Sequence, residues 1–287
     1  MNVLILLALL SITADERLIV CGGDEVFVIP ADKVVLPAER IWRWRAADST
    51  EIPAEMQRQF RTTDECKPVG ESILITSSGG GVALIRRADK KCLFHASARN
   101  AHSACLLPDR RIAVGSSYGG DELLIFDQDK PGATAEPIAR IPLNGAHGAI
   151  WDEKRERLWA IGGKELLLVE IAARDKSSAI TIDKRFELPT PGGHDLSPCQ
   201  DPRFLFVTTD TNVYRFDTQE TKFSPQQELA DKVHVKSVAQ SAVTGRIVYH
   251  QGTEKTWWSD TIRFLNPSAE LHVPDERLYK IRWDAGK

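Results

Sequence analysis

The chain has 287 residues and a formal charge of −3, from 37 Lys and Arg against 40 Asp and Glu, and 42% of it is hydrophobic. That length allows one large domain or two ordinary ones, and the apolar content suits a packed core rather than a chain disordered by composition. The charge lacks the basic excess of a nucleic-acid binder, and no apolar run reaches the roughly 18–20 residues that span a bilayer, so neither nucleic acid nor membrane insertion is expected.

At the N-terminus, residues 3–10 are apolar and lead into Ser11-Ile12-Thr13-Ala14. The pattern reads as a signal peptide over residues 1–14, followed by one domain over 15–287, in a protein exported to the periplasm or the extracellular space. No Lys or Arg precedes the run, and a buried first strand is the competing reading. Cys21 follows Val20, which is too bulky to precede a lipid-attachment cysteine. The other cysteines are Cys66, Cys92, Cys105 and Cys199, with no CxxC spacing. They read mostly as small buried strand residues, and the odd count leaves at least one unpaired within the chain.

Along the chain, six apolar segments end in Gly, Ser or Thr: residues 17–23, 72–78, 111–117, 157–163, 203–209 and 246–252. Each predicts a strand entering a turn. A second strand follows each, at 25–29, 81–85, 122–127, 165–169, 212–217 and 261–265. Another precedes several of them, starting at His102, His147, His194 and Lys236, and outer strands fit at 41–45, 138–141, 184–188 and 271–273. Recurrence of about four short strands every 45 residues or so is the mark of a β-propeller blade. Radial packing covers both faces of sheets too small to be stable alone. The expected fold is therefore an all-β propeller of six blades, with seven as the alternative. Residues 53–60, with Met56 at their centre, read as a loop that lengthens the first interval. Residues 278–284 predict a strand that completes the first blade and closes the ring.

Three successive blades open their innermost strand with a histidine after a small residue: His102, His147 and His194. Lys236 holds the same offset in the next blade, and Glu65 or Lys67 stands near it in the second. Equivalent places in a ring point to one axis, so these groups are expected to converge. Three neutral imidazoles suit a divalent ion such as Mn, Zn or Ca, with Asp195 as a further ligand contact and Lys236 and Lys67 as bases. The cations, with Arg43 or Arg45, favour an anionic small-molecule or oligosaccharide ligand. His234 lies two residues before Lys236, and Trp257-Trp258 offers surfaces for stacking on sugar rings or a partner protein. The same repetition also fits histidines that only bond neighbouring backbone, and a ligand pocket without metal. A non-catalytic interaction platform is the alternative to an enzyme. The protein is expected to be a monomer.

The segments around Asp64-Glu65-Cys66-Lys67, Ala101-His102-Ser103, residues 145–152 and Gly192-Gly193-His194-Asp195 resemble an uncharacterised family of bacterial exported β-propellers. That resemblance covers most of the chain and implies the propeller and export. More loosely, the three histidines are similar to those of oligogalacturonate lyases, which implies a metal-dependent elimination beside the carboxylate of a uronate sugar.

Overall fold

The computed structural model describes residues 16–172 and 180–284. The expected signal peptide lies outside the described residues. The architecture is six four-stranded antiparallel sheets arranged as blades. Blade 1 is ordered Leu278–Asp284, Arg17–Gly22, Glu25–Pro30 and Trp42–Arg45 from the axis outward. The innermost strands of blades 2 to 6 are Thr63–Val69, Ala101–Leu107, Gly148–Asp152, Asp195–Pro198 and Val235–Gln240. The six-blade count and the closing strand are as expected. Leu18 pairs with Trp283 and Val20 with Ile281, so the last strand occupies the inner edge of the first sheet. Without it that edge would present unpaired backbone groups to the channel.

The core lies between blades. Ile19, Val26, Ile73 and Ile75 form one such layer, and Ile161, Leu166, Leu196 and Phe216 belong to another. Each strand in these layers is apolar on both faces because each blade is covered on both sides. Trp44 is buried in the first layer with Trp42 packed against it, and the Trp42 indole donates to Arg87 O at 3.0 Å across to blade 2.

The segment read as a loop at 53–60 is one turn of α-helix, Ala54–Gln57, running into a 3₁₀ turn, Arg58–Phe60. Pro53 enters with a preset φ, and Met56 and Phe60, four residues apart, share the face buried against the first layer. All five cysteines are free, four of them buried and Cys92 partly so.

Candidate functional site

The channel is organised by one repeated irregularity. In blade 1, Cys21 pairs with Lys280 but Gly22 with Leu278, leaving Tyr279 without a partner in the ladder. The same shift leaves out Asp64 in blade 2, His102 in blade 3 and Lys236 in blade 6. In blade 4, Ile161 faces Gly148 while accepting from the His147 amide, and in blade 5 Thr208 does the same for Asp195 and His194. A bulge re-aims the extra side chain and ends regular pairing. Six bulge positions therefore set a ring at the mouth where the innermost strands begin, called the upper mouth: Tyr279, Asp64, His102, His147, His194 and Lys236.

The histidines do converge. Ring centroids are 4.3 Å apart for His102 and His147 and 5.3 Å for His147 and His194. The Tyr279 ring lies 5.9 Å from His102 on the other side, and His102 Nε2 is 3.8 Å from Asp64 Oδ1. Asp64 in turn accepts from the Ser78 amide. His147 Nδ1 is 2.8 Å from Gly145 O and His102 Nδ1 is 3.1 Å from Asn100 O. A carbonyl only accepts, so both Nδ1 atoms carry the proton and both Nε2 atoms present lone pairs. His194 Nε2 is 2.6 Å from Asp210 Oδ1 and 2.8 Å from Lys236 Nζ. The carboxylate accepts and the ammonium donates, so that nitrogen serves one of them at a time. While Asp210 takes its proton, His194 Nδ1, buried and unpartnered among the described residues, presents a third lone pair.

Burial sets the charges here. It depresses the pKa of His102, and depresses that of His147 strongly, with the two flanking imidazoles adding to the effect. Burial brings His194 to about 4 and Lys236 to about 8. Asp210 is held below the usual carboxylate range by the hydrogen bond from His194, whereas burial raises Asp64. At neutral pH the ring is three neutral imidazoles beside one ammonium. Tyr118, 53% exposed, stands with its ring 5.5 Å from His147.

Beneath this ring the channel is closed by charge. Arg282 binds Glu65 through Nε and Nη2 and Asp195 through Nη1 and Nη2, at 2.7–3.0 Å. Lys280, fully buried, donates to His102 O and His147 O and lies 3.3 Å from Asp195 and 3.6 Å from Glu65. Burial alone would raise both carboxyls, but Arg282 and the lysines hold Glu65 well below its ordinary value and Asp195 below its own.

These placements correct several expectations. Glu65 and Asp195 are bound within the plug and do not face the histidines. In the second blade the group that joins them is Asp64: the bulge shifts the register by one, which spacing alone does not reveal. Lys67 points away from Lys236, its Nζ donating to Ser103 Oγ, Ala104 O and Ala149 O farther down the channel. His234 is partly buried beside Asp210, its amide donating to Asp210 O. Trp257 is 60% exposed and Trp258 lies under Arg277, with no ring contact to the imidazoles among those described. Arg45 pairs with Asp48 on the outermost strand. Among the described residues no three His, Cys, Asp or Glu side chains form a group that could hold a metal ion. The sequence reading missed Tyr279, Tyr118, Asp210 and the two cations of the plug. A Lys and an Arg two residues apart in the closing strand were the available signal.

Fold and ring together define a six-bladed β-propeller with a plugged axis and a polar upper mouth. The chain belongs to the family of unknown function DUF6528, whose model matches residues 22–286. No curated protein matches it in sequence. Among solved structures it is similar to the Pan2 WD40 domain of Neurospora crassa, at 12% identity and a TM-score of 0.54, over 90% of this chain and 75% of that one. It is also similar to a Bacteroides uniformis protein described as a candidate 6-phosphogluconolactonase, at 11% identity and a TM-score of 0.54, over 93% and 82%. At such identities the likeness shows the fold alone.

Proposed function

We propose that the upper mouth binds a small polyhydroxylated ligand carrying a carboxylate, of the sugar-acid class. One observation carries this reading: His102 Nε2 and His147 Nε2 present lone pairs with no donor among the described hydrogen bonds, His194 Nδ1 joins them while its Nε2 donates to Asp210, and Lys236 is the cation beside them. Hydroxyl groups satisfy such acceptors, and an ammonium pairs with a carboxylate. Tyr118 gives a ring face at the entrance for the apolar side of a sugar. Isothermal calorimetry with glucuronate and galacturonate tests it. Saturable binding, weaker for glucose and lost in both His147→Ala and Lys236→Met, supports it. No binding of either acid to the wild type removes it.

Lys236 supports a second reading. An amine brought to about 8 beside His194 suits removal of a proton next to a carboxylate, as in a uronate lyase. Ultraviolet absorbance of an unsaturated product from oligogalacturonate would report it. A metal-assisted version requires Lys236 and Asp210 to release His194, and titration with Mn, Zn or Ca against melting temperature tests that.

A further inference from the structure

The opposite, lower mouth carries chemistry that the proposed sugar-acid site does not use. A cavity of about 610 Å³ opens there, walled by Trp151, Trp283, Ile150 and Leu106 and floored by Lys67 and Arg282. The volume lies in the range of small-molecule pockets, and mostly apolar walls with a few converging polar groups are the usual make-up of such sites. The Trp283 indole is pinned by its bond to Ala239 O at 3.1 Å, so this wall is fixed before any ligand arrives.

Charge at the floor is unbalanced. The buried centre holds three cations, Lys67, Lys280 and Arg282, against two carboxylates, Glu65 and Asp195. Asp64 lies on the other side of this centre, turned to His102 and Ser78. Lys67 is the cation left over in charge: its three N–H groups go to neutral acceptors, Ser103 Oγ, Ala104 O and Ala149 O. Its carboxylate neighbour, Glu65 Oε2 at 3.5 Å, already accepts from Arg282 and Ser103. Four hydrogen bonds tie Arg282 to carboxylates, one fewer than its five N–H donors. An unmatched cation under an apolar roof costs free energy that an anion restores. Glu153 is an acidic residue of the lining and is exposed, so it sits at the rim rather than the floor.

We infer that the lower mouth is a second ligand site, for a small apolar monoanion whose carboxylate or sulfonate meets Lys67 and Arg282 and whose aromatic or aliphatic body lies between Trp151 and Trp283. The site is separated from the upper mouth by the Glu65–Arg282–Asp195 plug, so the two are occupied independently. An entering carboxylate supplies the third negative charge, taking the remaining N–H of Arg282 and one Lys67 N–H in exchange for a backbone carbonyl, and the indole walls exclude water from the pair.

The test uses the full chain and 2-naphthoate, with 2-naphthalenemethanol as the neutral control, read by calorimetry and by Trp fluorescence. The expected result is one saturable site for the acid, with the alcohol weaker by about tenfold or more. Trp151→Ala and Lys67→Met should each weaken the acid, Lys67→Met bringing it down to the level of the alcohol. His147→Ala should leave it unchanged, which separates this site from the sugar-acid reading. If Lys67→Met fails to fold, Trp151→Ala decides. Absence of saturable naphthoate binding overturns the proposal, as does binding that survives Trp151→Ala or disappears with His147→Ala.

Discussion

The two mouths of the channel are built from the same six strands, yet their chemistry is opposite. At the upper mouth a register shift in blades 1, 2, 3 and 6, and the equivalent amide contacts of His147 and His194 in blades 4 and 5, set one side chain per blade toward the axis, and the result is polar: three imidazoles, an ammonium, a carboxyl group and a phenol. At the lower mouth the innermost ladders run on without such a shift, and the lining is indole and aliphatic over a cationic floor. A repeat fold thus differentiates its ends by where pairing is interrupted, more than by which residues are used overall.

The largest effects should come from breaking the partition between the mouths. Removing Leu278–Asp284 opens the first blade and withdraws both Lys280 and Arg282, so a cooperative unfolding transition in urea should disappear. Arg282→Ala alone leaves Glu65 and Asp195 buried without their main partner and should cost about 3–5 kcal/mol by denaturant titration.

Acid should next distinguish the upper ring from the plug. His147 and His194 are buried neutral in the ring, with His194 brought to about 4, whereas in the unfolded chain each protonates near about 6.5. The unfolded state then binds more protons, so stability falls as pH drops below that point, by about 1.4 kcal/mol per pH unit for each such imidazole. Glu65 and Asp195 act later. Their folded values are lowered, so their contribution is full above the unfolded carboxylate range near about 4 and is lost as pH falls through the folded values. Urea midpoints measured from pH 7 to 3 should show both phases, and His147→Gln should reduce only the first.

A smaller effect concerns Lys236. Affinity for glucuronate should decline as pH rises through about 8, where the ammonium loses its charge, and Lys236→Met should abolish that dependence while lowering affinity about tenfold at pH 7. The smallest is Trp257→Ala, on the exposed loop of blade 6, which should change stability by less than about 0.5 kcal/mol and leave both ligands' affinities as they are.

Six recurring apolar segments made the blades readable, because burial on both faces demands apolar strands at a fixed period. The closing strand was readable from its unpaired place in the count. His102, His147, His194 and Lys236 were readable because their offset repeats. Asp64 was not, since a bulge moves the side chain by one position without changing the apolar pattern, and Glu65 carries the same charge next to it. Tyr279 belongs to a strand that completes a blade from the far end of the chain, so no neighbouring repeat supplies its offset. The lower cavity was hidden for a different reason. Trp151 falls within the family-like segment 145–152 and Lys67 reads as a partner for the histidines, and only folding sets them together in one cavity.

Placing Lys280 and Arg282 on the closing strand couples two tasks in one segment. Residues 278–284 supply both the inner edge of the first blade and the counter-charge of Glu65 and Asp195. Ring closure and neutralisation of the axis are therefore one event, and a ring left open at that edge would also hold two carboxylates without their main partners.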